Sequence, residues 1–197
     1  DTLSLHDALP ILWSREFAKW DHLRHIEPRL ITSADLSLRR TAEGPLDFAD
    51  KRATGRHLLS LDAPVHVASY NTFPWLVKAM GGKLPYDGIV YDESTFLKSH
   101  DSERCRAAKW IARHVPRVRQ IIELSGTPVP RGYEDLMTQF YLLDKGERLG
   151  ATLKEFRENW QEPDARDNKT GQVFSWKLRA GKLEPIQAKI GELAQSA

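Results

Sequence analysis

Two short apolar runs in the middle of the chain constrain its fold more than any other feature. Gly88-Ile89-Val90-Tyr91 is β-branched and aromatic, reads as a buried strand, and is followed at once by Asp92 and Glu93. Residues 118 to 124, VRQIIEL, form a second such run, ending in Ser125-Gly126-Thr127-Pro128. Between them, Ser102 or Asp101 can cap a helix that runs to about Val115, where Pro116 stops it. Strand, helix and strand in that order predict an α/β domain with a mainly parallel sheet flanked by helices. In such a sheet, ligands bind beyond the carboxyl ends of the strands. Both polar clusters fall at that edge.

The flanking sequence fits the same class. Trp13, Phe17 and Trp20, spaced i, i+4 and i+7, predict a helix over residues 12 to 24. Val65 and Val67 alternate in a strand-like run, and Phe73 to Met80 reads as a helix closed by Gly81-Gly82. Residues 32 to 63 are polar, with a helix expected around 48 to 61. A helix is expected from Tyr133 to Leu143, with Glu134 and Asp135 in its first turn. Thr152 and Glu155 form a capping box for another helix through Trp160. Residues 161 to 172 are polar and turn-rich, Val173 to Trp176 is a brief strand candidate, and Ile186 to Leu193 reads as a terminal helix.

Composition excludes several classes. No window approaches the roughly 18 uninterrupted apolar residues that a membrane helix needs, and the N-terminus lacks the basic-then-apolar layout of a secretion signal. The single cysteine, Cys105, excludes an internal disulfide framework and a cysteine-based zinc site, which suits a reducing cytoplasm. The first eleven residues, DTLSLHDALPI, match one reading frame of a common short-read sequencing adapter, so they are expected to be foreign, with the genuine sequence starting near Leu12. Without Asp1 and Asp7 the net charge rises from +2 to +4.

Adjacent carboxylates at the end of a buried strand repel each other and lose solvation, so they either stand solvated at the start of a loop, the simpler reading of the dipeptide alone, or are compensated by something positive. Magnesium is the natural candidate, because it takes hard oxygen ligands and bridges one or two carboxylates to substrate phosphates. The second carboxylate is then free to orient a water as base.

With YDEST and LSGTP separated by one helix, the chain resembles the superfamily two helicases and translocases, specifically the Swi/Snf-like DEAD/DEAH-type ATPases, and most closely their phage and prophage versions. Residues 17 to 23, FAKWDHL, and 141 to 150, YLLDKGERLG, extend the resemblance. It implies that Asp92 and Glu93 are the Walker B pair, Asp92 holding magnesium through water and Glu93 polarising the attacking water. It implies that Ser125, Gly126 and Thr127 couple the state of the nucleotide to the DNA-contacting surface. Lys98 matches a basic position after the first motif, and Tyr70 resembles the aromatic of a short motif before it. Phe96 and Arg131 stand where the family often has Arg and Asn.

The family's phosphate loop, G-x-x-x-x-G-K-[ST], is absent from this sequence, and Gly81-Gly82-Lys83-Leu84 does not supply it. The resemblance therefore implies a partial first RecA-like lobe over residues 12 to 150, with 151 to 197 a helical extension leading toward a second lobe. It further implies ATP and Mg2+ as cofactors, double-stranded DNA as partner, and the cytoplasm of a bacterium or phage-infected host. The isolated chain is expected to hydrolyse little or no ATP.

From Lys98 to Arg131 there are eight basic residues against three acidic ones. Lys98, Arg104, Arg117 and Arg119 are candidates for contact with a phosphate backbone. The stretch equally suits a solvated helix face, or contact with a second lobe through Arg113, Arg117 and Arg119. Two other classes stay open. One is a metal-dependent nuclease using Asp87, Asp92 or Glu93 with Lys98, although Lys98 follows Glu93 by five residues rather than the usual two. The other is a non-catalytic remnant that binds nucleic acid or protein. His22 and His25 have no third ligand in sight, Cys105 reads as a buried inert residue, and Trp160 and Trp176 read as core or interface residues able to stack on a base.

Overall fold

The structure, a computed structural model, describes residues 5–31, 63–80, 83–126, 132–167 and 169–194. The helix expected around 48 to 61, Gly81-Gly82, Thr127, Pro128 and Arg131 lie outside the described residues. The chain is mixed α/β and divides into two compact units, 1–86 and 87–197. No helix among the described residues is long and apolar enough to cross a membrane.

The first unit contains helix α1 (Leu5–Lys19), strands β1 (Arg29–Ile31) and β2 (His66–Ala68), and helix α2 (Phe73–Met80). The two strands pair in parallel, with Leu30 opposite Val67. Of the aromatic stripe on α1, Phe17 is buried and Trp13 packs near it at 6.2 Å. Trp20 lies beyond the end of the helix and is exposed, because α1 stops at Lys19. After β2, the Ser69 carbonyl accepts the amides of Thr72 and Phe73, which turns the chain into α2 at the Tyr70 bend.

The second unit begins with strand β3 (Gly88–Tyr91), a 3₁₀ turn (Ser94–Leu97), helix α3 (Glu103–His114) and strand β4 (Gln120–Glu123). Ser102 caps α3 by accepting the Cys105 amide at 3.2 Å. β3 and β4 pair in parallel, as the strand–helix–strand pattern predicts, with Val90 opposite Ile122. The expectation of a wholly buried β3 needs correction. Tyr91 is buried, but Val90 and Ile122 are each 50% exposed and Leu124 is exposed beside them, so this sheet carries an uncovered apolar face.

Helices α4 (Tyr133–Asp144) and α5 (Leu153–Trp160), the antiparallel strands β5 (Gln161–Arg166) and β6 (Val173–Leu178), and helix α6 (Leu183–Gly191) follow. One core joins them: Leu136, Met137 and Phe140 of α4, Leu149, Phe156 and Trp160, and Ile186 of α6. This core packs residues from both sides of position 150.

The segment 144 to 150 is a structural hairpin between α4 and α5. Asp144 accepts the Gly146 amide at 2.8 Å and the Arg148 amide at 3.1 Å. Gly146 has φ 91°, and a Cβ there would meet the Ala151 Cα at 2.5 Å, so only glycine fits. Thr152 accepts the Glu155 amide at 3.1 Å, as a capping box requires, whereas Glu155 returns its bond to the Ala151 amide, one residue before the cap. The polar segment after Trp160 is not only turn: its first six residues form β5, which pairs with β6.

Candidate functional site

The carboxyl ends of β3 and β4 bring the two polar clusters together. Tyr91 stands opposite Glu123, and the ladder continues past both strands. The Leu124 amide donates to the Tyr91 carbonyl at 2.9 Å, and the Ser94 amide donates to the Leu124 carbonyl at 2.8 Å. Asp92-Glu93 and Ser125-Gly126 therefore emerge side by side from adjacent strands. Thr127 lies outside the described residues.

Asp92 and Glu93 are both half-buried. Glu93 has φ 51° and ψ 57°, a left-handed conformation that costs a side-chain-bearing residue free energy and that occurs preferentially at functional turns. Two bonds hold it. The Thr95 hydroxyl donates to Glu93 Oε1 at 2.8 Å, and the next residue, Ser94, is buried and donates to Gln139 Oε1 on α4 at 3.0 Å. Gln139 Nε2 in turn donates to the Asp135 carbonyl at 3.2 Å, which fixes the orientation of the amide. Sequence reasoning missed Gln139, because nothing in a helical stretch of the sequence indicates which turn its side chain reaches.

Glu123, at the end of β4, is the opposite kind of carboxylate. Both its oxygens are buried without a hydrogen-bond partner among the described residues. Burial pushes its pKa up to about 8, and the nearby Ser94 hydroxyl, whose single proton goes to Gln139, offsets little of this. Cys105 is also buried. Burial raises its thiol to about 11 despite the neighbouring Lys109, which matches the inert reading.

The basic residues do not form one patch. Lys98 closes the 3₁₀ turn at the carboxyl end of β3, half-buried, and Arg104 lies half-buried in the first turns of α3. Arg117 and Arg119 lie at the opposite, amino end of the strands: the Arg119 amide donates to the Asp87 carbonyl at 2.8 Å, and Arg117 pairs with the Asp87 carboxylate at 3.4 Å. Arg113 donates to the Tyr141 hydroxyl, and both Arg113 and Lys109 sit over the Tyr141 ring. Of the nuclease candidates, Asp92, Glu93 and Lys98 share the carboxyl end of the strand and Asp87 alone is set apart. Asp87 and Asp92 flank a four-residue strand, so their backbones are about 16 Å apart at the usual rise.

No family model matches the chain. It is 34% identical over 152 residues to protein p41 of Acyrthosiphon pisum secondary endosymbiont phage 1, an alignment covering 75% of this chain and 29% of that protein. It is 37% identical over 95 residues to the SWI/SNF-related matrix-associated actin-dependent regulator of chromatin subfamily A-like protein 1 of Bos taurus, covering 48% of this chain and 9% of that protein. The chain thus spans less than a third of the first relative and about a tenth of the second. These similarities place a Swi/Snf-like protein and a phage protein among its distant relatives.

Proposed function

We propose that this chain is part of a DNA-dependent ATPase of the Swi/Snf-like helicase and translocase kind, its β3 and β4 region belonging to a first RecA-like lobe. In this reading, Mg-ATP hydrolysis drives movement along double-stranded DNA in the cytoplasm of a bacterium or phage-infected host. The observation that carries it is the convergence of Asp92-Glu93 and Ser125-Gly126 at the same end of two parallel strands, stitched by the Ser94 and Leu124 amides. The bare apolar face of β3 and β4 agrees with it, since parallel sheets in such folds are covered on both sides.

The residues present fit magnesium. Asp92 and Glu93 offer hard oxygens at a partly solvated strand end, and among the described residues no three His, Cys, Asp or Glu side chains gather into a cage. That donor set suits an ion shared with phosphate oxygens and water. When bound, Mg-ATP supplies the electrophilic phosphorus and neutralises charge around it. Asp92 would hold the ion through water. Glu93 would orient the attacking water and take its proton, the Thr95 hydroxyl fixing Oε1 and leaving Oε2 for the water. Ser125, Gly126 and Thr127 would relay the change to the DNA surface, with Lys98 and Arg104 on the segment that leaves β3 at that edge.

The test is DNA-stimulated ATP hydrolysis by a protein carrying this segment together with a phosphate loop and a second lobe. Glu93→Gln should lower kcat by about 10²- to 10⁴-fold, the usual worth of a general base, while nucleotide binding persists. Unchanged turnover in that variant would remove Glu93 from the mechanism, and no DNA-stimulated turnover in the parent would remove the function.

A further inference from the structure

We propose that the hairpin of β5 and β6 is a contact for an unpaired nucleobase, with Phe174 as the stacking surface and Arg166 as the partner of the adjoining phosphate. This rests on the DNA-binding reading above and names a feature of the DNA which that reading leaves open: an exposed base rather than the duplex backbone.

The hairpin is stiff at both ends. At its root, Arg157 of α5 donates to both carboxylate oxygens of Glu134, at 2.8 and 3.2 Å, and its guanidinium covers the Trp176 ring at 4.9 Å. Arg179 donates to the Gln161 carbonyl at 2.7 Å, and the Trp160 indole donates to the Leu149 carbonyl at 3.1 Å. At its tip, Asp167 Oδ1 accepts the amides of Lys169 and Thr170, both at 2.7 Å, and Gly171 at φ 72° completes the turn. Trp160 is a core residue and Trp176 packs under Arg157, in line with the core or interface reading of both.

Phe174 is different. The register pairs Pro163 with Trp176, Ala165 with Ser175 and Arg166 with Val173, so Asp164 on one strand and Phe174 on the other are each one residue in excess. Two offset bulges result. Bulges re-aim side chains and recur beside binding sites. The Asp164 bulge is tied down, its carboxylate accepting the Ser175 hydroxyl at 3.2 Å and facing Lys177 at 3.8 Å. The Phe174 bulge has no ladder partner, and the residue is 64% exposed.

The hairpin is neutral as a whole, with three acidic and three basic residues, but its charges are unevenly engaged. Of the acidic groups on the hairpin, Glu162 and Asp164 face Lys177, and Asp167 is taken by backbone amides. Arg166 and Lys169 are exposed and make no ion pair among the described residues. A protein partner would call for a contiguous apolar patch. Here the neighbours Val173 and Ser175 are half-buried and Trp176 is half-buried under Arg157, so a single aromatic residue stands next to Arg166, the ladder partner of Val173. That combination suits one base with its phosphate.

The experiment measures binding of the 197-residue chain to a labelled single-stranded oligonucleotide and to the matched blunt duplex across a salt series. Phe174→Ala should weaken single-strand binding by about five- to a hundredfold, the worth of one stacked base, with duplex binding and salt slope unchanged. Phe174→Tyr should retain binding. Arg166→Ala should reduce the salt slope by about one. Phe174→Ala that leaves single-strand affinity unchanged, or weakens both DNAs equally, overturns the hairpin contact while the ATPase reading stands. A chain that binds neither DNA overturns the hairpin contact and counts against the DNA partner as well.

Discussion

The two halves of the second unit are stabilised in different ways. The α4, α5, hairpin and α6 half is a closed module: Phe156 and Ile186 are fully buried, the Trp160 indole is satisfied, and Glu134, Arg157 and Trp176 stack across three elements. The β3, α3 and β4 half exposes Val90, Ile122 and Leu124 on one face and keeps an unpaired carboxyl, Glu123, on the other. Its polar residues at the strand ends are half-solvated and held by a few specific bonds. The lesson is that the region with the candidate chemistry is the less self-sufficient one.

Four substitutions probe that contrast. The largest effect is expected in the closed module, where Phe156→Ala should cost about 3 to 5 kcal/mol in chemical denaturation because it opens a cavity at a fully buried position. Ile122→Ala, on the bare face, should stay within about 0.5 kcal/mol. Equal losses would erase the contrast.

The second effect concerns Glu123. Its folded pKa of about 8 lies above the ordinary value of 4.5, so the folded state holds the proton more tightly than the unfolded state does. Stability should therefore be full below about pH 4.5 and fall as pH rises toward 8, then level off. Glu123→Gln should flatten that profile in melts between pH 5 and 9 and stabilise the alkaline end by about 1 to 3 kcal/mol, the usual cost of an unsatisfied buried group. A profile that keeps its slope in the variant would place the titration elsewhere.

The third effect is a cap. Thr152→Ala removes the bond to the Glu155 amide and should cost about 1 kcal/mol, with the loss confined to α5 in amide exchange.

Local signals were legible where the physics is local. The Ser102 cap, the Thr152 cap, the span of α4 and the parallel pairing of the two apolar runs follow from side-chain reach and from the chirality of strand–helix–strand units. β5 was not legible, because QEPDAR has no alternating apolar pattern and becomes a strand through its partner β6. The separation of the basic residues was not legible for a related reason. Lys98 and Arg117, on either side of α3, end at opposite edges once the strands run parallel.

The sequence by itself determined that Asp92-Glu93 and Ser125-Gly126 leave the same end of a parallel pair, since each follows directly on its own strand. Only the tertiary structure decided which carboxylate is accessible and which is buried, that Gln139 anchors the turn after Glu93, and that Phe174 stands out of register and exposed. Those outcomes depend on contacts between residues 30 to 45 positions apart or on the offset between two strands. Neither has a signature in the order of the residues alone.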